Sequence, residues 1–214
     1  RLFRRAVGTM EVKDRRAFGT GTECGIAVVF DGDHTALARL ISIRAHAAVE
    51  QIKTMIVSWP VERDFGLHLD VELIEQPLPA KAVKEMKSLP DEIRMKLAAD
   101  ESLITPKDAL ELVKPPRASG IFNIKLMKCG GVSQGLKIAD IAFQEGVDLF
   151  WGCNDESAVS ITAALHAAFS CANTKYIDLD GSLDLGKDVV KGGFILKDGM
   201  MSCSDKPGLG LELI

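Results

Sequence analysis

The sequence predicts an α/β protein, a (β/α) barrel of the TIM type that is incomplete at about seven strands. Three observations carry this. Short apolar runs alternate with longer segments of helical periodicity, the pattern of a parallel sheet. Polar residues close the runs at Glu75, Asp100, Lys125, Gly152 and Asp178, in steps of 25, 25, 27 and 26 residues, about one strand-plus-helix unit each. A doubly wound sheet would alternate in the same way. A barrel further expects functional residues at the C-terminal ends of successive strands, and here almost every run ends on one.

The elements follow in order. "GIAVVFD" (25–31) reads as a buried strand, and 36–55 as a helix with Arg39, Arg44, Glu50 and Lys53 between its apolar positions. "LDVELIEQ" (69–76) is the next strand, stopped by Pro77, with a helix near "AKAVKEMKSL". A weaker strand, "RMKLAADES" (94–102), precedes a helix whose start is marked by Thr105 as N-cap, Pro106 at its first position and Asp108 in its first turn. "IFNIKL" (121–126) and a helix from about Ser133 to Gly146 come next, then "VDLFWG" (147–152), the helix "ESAVSITAALHAAFS" and the strand "KYIDLDG" (175–181). The tail holds "GGFILKDG" and "MMSCS", two short strands about a Lys-Asp-Gly turn, before Gly/Pro-rich "DKPGLGLEL".

Composition narrows the function. The 214 residues are 47% hydrophobic and carry a net charge of −4 without a basic tract, which argues against nucleic acid and anionic membranes as partners. No apolar run reaches membrane-spanning length, and the start lacks a signal-peptide core. Five scattered cysteines, never spaced CxxC, read as reduced thiols in a cytoplasmic protein. Gly130 and Gly131 read as a βα turn, since no GK[ST] follows, and "GTGTECG" as a turn as well. His166, in an Ala-rich helix, reads as a packing residue.

In a barrel, Asp31, Glu75 and Asp100 would converge at one mouth. Three carboxylates repel one another unless a cation neutralises them, and oxygen donors without His or Cys suit Mg²⁺. Lys125 closes the next strand. A lysine partly desolvated beside a divalent cation has its charged form disfavoured and can act as a base. Metal plus lysine is the apparatus for taking a proton from the carbon next to a carboxylate. Singly, each residue has a plainer reading, a helix cap or ion-pair partner for the carboxylates and a surface cation for the lysine; their order at successive strand ends gives them weight.

"VELIEQPLPA", "LAADESLITPKDALELV", "FNIKLMKCGG", "FWGCNDESAVSITAALHAA", "YIDLDG" and "KPGLGLEL" together resemble the enolase superfamily, in its mandelate racemase and muconate-lactonizing group, and within it the dipeptide epimerases that act on L-Ala-D/L-Glu. The resemblance spans roughly residues 65–214. It implies Mg²⁺ on Glu75 and Asp100, Lys125 as acid/base, and Asp178 and Asp180 holding the ammonium group of a dipeptide, a role suited to two acids sharing one face of a strand. "RRAVGT" resembles the family's second barrel strand, with Arg4 and Ala6 where two lysines stand, the second of them a catalytic base. "VVFDGDHTA" resembles the third, making Asp31 the third metal ligand and Asp33 its competitor.

The resemblance also implies an N-terminal α+β capping domain and a first barrel strand, neither with a counterpart here, which is expected of a fragment or a damaged gene. Residues 1–190 are then a partial barrel, divergent over 1–65, and 191–214 a hairpin and tail that would pack near the capping domain. The expected activity is Mg²⁺-dependent epimerisation of dipeptides, impaired by Ala6. The alternatives are N-acylamino acid racemisation, o-succinylbenzoate synthesis, cycloisomerisation, a Schiff-base aldolase using Lys125, and a non-catalytic truncated paralogue. The partner is a small molecule, a dipeptide or N-acyl amino acid. An inner edge left open by the missing strand favours homo-oligomers.

Overall fold

The computed structural model describes residues 28–30, 71–197 and 200–214. These residues fall into two compact units that meet in sequence between Phe122 and Asn123, so the division falls inside one strand. The helix read over 36–55 lies outside the described residues.

In the first unit, β1 (Val28–Phe30), β2 (Val71–Glu75), β3 (Leu97–Ala99) and the first two residues of β4 (Ile121–Lys125) are neighbours in that order. β2 and β3 run parallel, with Ile74 opposite Leu97 and Glu75 opposite Ala98, and β3 pairs in parallel with β4 through Ala98 and Ile121. β1 departs from expectation. It lies antiparallel to β2, Val28 opposite Ile74 and Phe30 opposite Val71. A buried apolar run carries no sign of direction, so periodicity could place this strand but not orient it.

α1 (Val83–Lys87) and α2 (Asp91–Arg94) follow β2, and α3 (Pro106–Val113) follows β3. α3 begins as expected: the Thr105 hydroxyl accepts from the Asp108 amide at 3.3 Å while the Asp108 carboxylate accepts from the Thr105 amide at 2.8 Å. Such a reciprocal cap contributes about 1 kcal/mol. Met86, Leu97, Leu103, Leu112 and Phe122 form the buried interior of this unit.

The second unit takes β4 from Asn123, the short helix α4 (Leu126–Cys129), α5 (Val132–Gln144), β5 (Asp148–Gly152), α6 (Ala158–Ser170) and β6 (Thr174–Ile177). β5 and β6 are parallel, Trp151 opposite Ile177. Gly130 (φ 90°) and Gly131 (φ 97°) make a turn, as read, but between α4 and α5 rather than directly after the strand. Both angles lie where a Cβ is strained. The tail gives β7 (Val190–Gly192), β8 (Phe194–Lys197), β9 (Met200–Cys203) and β10 (Leu211–Leu213). β8 and β9 form the expected antiparallel pair, whose turn residues 198 and 199 lie outside the described residues; β10 pairs with β7. Parallel pairing within each unit, β2 to β4 in the first and β5 with β6 in the second, agrees with the incomplete (β/α) barrel that the strand-helix alternation predicts.

Among the described residues no helix is long and apolar enough to cross a membrane. Close approach also fixes Gly120, where an added Cβ would stand 2.3 Å from the Met95 carbonyl oxygen, a backbone atom that cannot swing aside. Gly120→Ala is expected to cost about 1–3 kcal/mol through overpacking, read as a lower thermal midpoint by circular dichroism.

Candidate active site

Glu75 is the last residue of β2, and Asp100 follows the last residue of β3. The register fixes their facing. Glu75 pairs with Ala98, and Asp100 lies two residues beyond Ala98, so the alternation of β3, carried one residue past its end, brings Asp100 to the side of Glu75. Both are buried, at 9% and 4% exposure. Ionised carboxylates are costly to bury without compensating charge or hydrogen bonds. The donor set here is two oxygen ligands from neighbouring strand ends, which fits a hard divalent cation such as Mg²⁺.

Among the described residues no group of three or more His, Cys, Asp or Glu side chains is gathered closely enough to hold a metal. Asp31, the expected third ligand, and Asp33 lie outside the described residues, as do Arg4 and Ala6. Phe30, next to Asp31, sits opposite Val71, four positions before Glu75.

Gln76 is the residue the sequence did not single out. It is buried at 4% exposure and has φ 34°, a value side-chain-bearing residues rarely adopt. Its amide oxygen accepts from the backbone N–H of Asp100 at 2.9 Å and of Ser102 at 3.2 Å. Its amide nitrogen donates to the Leu78 carbonyl at 2.7 Å and to the Ser102 hydroxyl at 2.8 Å. Proximity to Glu75 and Pro77 hid it, because a neutral amide carries none of the charge cost that draws notice to a buried carboxylate.

The second unit positions its own set. Lys125 ends β4, partly buried, and the alternation along the strand puts it on the face of Asn123. Asn123 needs Gly152 on β5: an added Cβ there would stand 2.4 Å from its side-chain oxygen. Asp178 and Asp180 lie just past β6, not within a strand reaching 181 as expected, because pairing with β5 ends at Trp151 and Ile177. The alternation persists beyond the ladder, with Leu179 fully buried between two half-buried aspartates. The Asp178 amide donates to the Trp151 carbonyl at 2.9 Å, anchoring the segment's start.

Cys153 anchors its end. The Gly181 N–H donates to the sulfur at 3.3 Å, and the thiol donates to the Asp180 carboxylate at 3.8 Å. Gly181 permits this, since a Cβ there would meet the Asn154 carbonyl oxygen at 1.9 Å. Glu156, buried at 5% exposure, accepts from the Asn154 N–H at 3.0 Å and from the Ser160 hydroxyl. Asp188 reaches back to the start of α6, accepting from the Ala158 N–H and the Ser157 hydroxyl at 2.7 Å each. Those bonds, the Ala158 amide foremost, hold its carboxyl below the usual range.

Burial, opposed by the Gly181 N–H and reinforced by the charges of Asp178, Asp180 and Glu156, pushes the Cys153 thiol up to about 12 from an ordinary 9.0. The folded state therefore holds this proton where an unfolded chain releases it. The resulting stabilisation is complete below pH 9.0 and is lost as pH rises toward 12. Thermal midpoints measured from pH 8 upward are expected to fall more steeply in the parent than in Cys153→Ala. Peptide mapping after iodoacetamide treatment at pH 8 should find Cys153 far slower to react in the folded chain than in urea.

Comparison with known proteins agrees with the motifs. Residues 57–214 match the Enolase C-terminal domain-like family. An L-Lys-D/L-Arg epimerase of Methylococcus capsulatus is 50% identical over 186 residues, covering 84% of this chain and 51% of the relative. An L-Ala-D/L-Glu epimerase of Clostridium acetobutylicum is 40% identical over 144 residues, 67% of this chain and 40% of the relative. The crystal structure of the Methylococcus capsulatus dipeptide epimerase, complexed with Mg and the dipeptide L-Arg-D-Lys, superposes with a TM-score of 0.65 at 57% identity, over 66% of this chain and 40% of that one. The chain spans about half the length, or less, of these relatives. Through its last three-quarters, it belongs to the Enolase C-terminal domain-like family.

Proposed function

We propose that this chain carries the magnesium-binding and proton-transferring residues of a dipeptide epimerase. The observation that carries the reading is the pair of buried carboxylates, Glu75 and Asp100, at the C-terminal ends of adjacent parallel strands. They would hold Mg²⁺, with Asp31 as third ligand and Asp33 its competitor. When bound, the metal would offset negative charge on the substrate carboxylate and so acidify the neighbouring carbon. Lys125 takes the α-proton and returns it. Asp178 and Asp180 hold the substrate ammonium group, with Asp180 fixed by the Cys153 thiol.

The relative at 50% identity is named for Lys and Arg substrates, which supports dipeptides of basic residues ahead of L-Ala-L-Glu. Domain organisation follows the same reading: residues 1–190 a partial barrel and 191–214 a tail. Ala6 stands where the family carries its second base, and alanine transfers no proton. One face of the α-carbon therefore exchanges while inversion lacks a partner.

Two measurements test this. In D₂O with Mg²⁺, L-Lys-L-Arg is expected to gain α-deuterium faster than D-epimer appears, with both lost in Lys125→Ala; brisk epimer formation dependent on Lys125 would overturn the single-base reading. Magnesium should raise the thermal midpoint of the parent, because a ligand that binds only the folded state stabilises it. Glu75→Gln and Asp100→Asn should each abolish that rise. Calorimetric titration of Asp31→Asn against Asp33→Asn assigns the third ligand by which of them weakens binding.

A further inference from the structure

We infer that Gln76 is a positioning residue, whose side-chain amide sets the spacing of Glu75 and Asp100 and thereby the preference of the site for Mg²⁺ over larger divalent cations. This rests on the metal reading above, and concerns the first unit alone.

Gln76 is joined to both carboxylate-bearing residues by different means. It follows Glu75 in the chain, and its own N–H donates to the Ala98 carbonyl at 2.9 Å, extending the β2–β3 ladder one residue past Glu75. Its side chain then accepts from the amide of Asp100 itself at 2.9 Å. A single residue thus fixes the backbone on either side of the candidate site. The remaining contacts leave the amide no freedom to turn. Its oxygen receives a second N–H, from Ser102, and its nitrogen spends both protons on Leu78 and Ser102. An amide has two acceptor and two donor positions, and all four are used.

The φ of 34° supplies an independent sign that the position is held for a purpose. Nothing about a simple strand-to-loop exit requires a long side chain in a region that glycine occupies most easily, and a substitution by glycine would relieve the backbone. Gln76 keeps the unfavourable backbone because its side chain is needed across the strand pair. The Ser102 hydroxyl also donates to the Ala80 carbonyl at 3.0 Å, so the clamp reaches both loops that leave β2 and β3.

Geometry of this kind matters more to one cation than another. Mg²⁺ demands near-octahedral ligands at about 2.0–2.1 Å, whereas Ca²⁺ accepts about 2.3–2.6 Å and irregular arrangements. Loosening the distance between two carboxylates should therefore weaken Mg²⁺ binding more than Ca²⁺ binding. Outer groups that orient metal ligands typically matter about 10- to 100-fold in affinity.

The test is isothermal titration of the full chain with MgCl₂ and with CaCl₂, on the parent, Gln76→Leu, Gln76→Glu and the milder Ser102→Ala, which removes one partner. Gln76→Leu is expected to lose about tenfold or more in Mg²⁺ affinity and about threefold or less in Ca²⁺ affinity. Ser102→Ala should shift the ratio in the same direction by less. Gln76→Glu keeps the acceptor for Asp100 but not the donor pair, and should fall between parent and Gln76→Leu. A residue that merely stabilises the fold would lower both affinities by the same factor, set by the folded fraction, and that result overturns the proposal, as does an unchanged Mg²⁺/Ca²⁺ ratio in Ser102→Ala and Gln76→Glu. If instead the parent binds neither cation and Glu75→Gln changes nothing, the metal reading fails and the positioning proposal falls with it.

Discussion

Two carboxylates held out of water at the ends of adjacent strands are the constraint around which the first unit is organised. In a low-dielectric interior, the repulsion between them and the cost of dehydrating each are far larger than at a surface. Such a pair persists only where the surrounding backbone is stiff enough to keep hydrogen-bond donors and any cation in place. The parallel register provides the first part of that stiffness, setting Glu75 beside Ala98 and Asp100 just past it. The Gln76 amide provides the second, tying the loops after β2 and β3 into one hydrogen-bonded block. Leu78 and Met86, buried at 1% and 0% exposure, exclude solvent around that block, so its bonds are not exchanged for water.

The second unit solves a different problem with different means. Its acids, Asp178 and Asp180, are half-buried and flank a fully buried Leu179, so apolar packing of one residue orients two. Small residues make the approaches possible. Gly152 leaves room for Asn123, and Gly181 brings the chain against Asn154 and delivers its N–H to Cys153. The thiol is neutral across the ordinary range because burial raises its pKa. It therefore donates to Asp180 without adding a third negative charge to the cluster.

How much of this was legible in the sequence depended on whether a signal was local. Glu75, Lys125 and Gly152 do end strands, since a run of apolar residues broken by a polar one or a glycine marks a strand end directly. The Thr105–Asp108 cap and the β8–β9 pair were equally plain, each being decided within a few residues. The direction of β1 was not, because direction is fixed by its partner and not by its own residues. Helices α2 and α4, four residues each, are too short to show a period. The pairing of β10 with β7 joins segments about twenty residues apart in a Gly/Pro-rich stretch that reads as loop. Gln76 was hidden for the same reason: its partners at 100 and 102 are a whole strand-plus-helix unit away.

That last point bears on how such a site can change in evolution without collapsing. A proton-transferring lysine at a strand end acts on substrate, so its replacement alters chemistry more than folding. A residue like Gln76 is the reverse. It is neutral and never meets substrate on this reading, yet four hydrogen bonds and an unfavourable backbone angle depend on its length and its amide. Leaving those buried groups unpaired would cost about 1–3 kcal/mol for each, a large fraction of a small domain's net stability. The arrangement of the loops that carry Glu75 and Asp100 is therefore retained by folding itself.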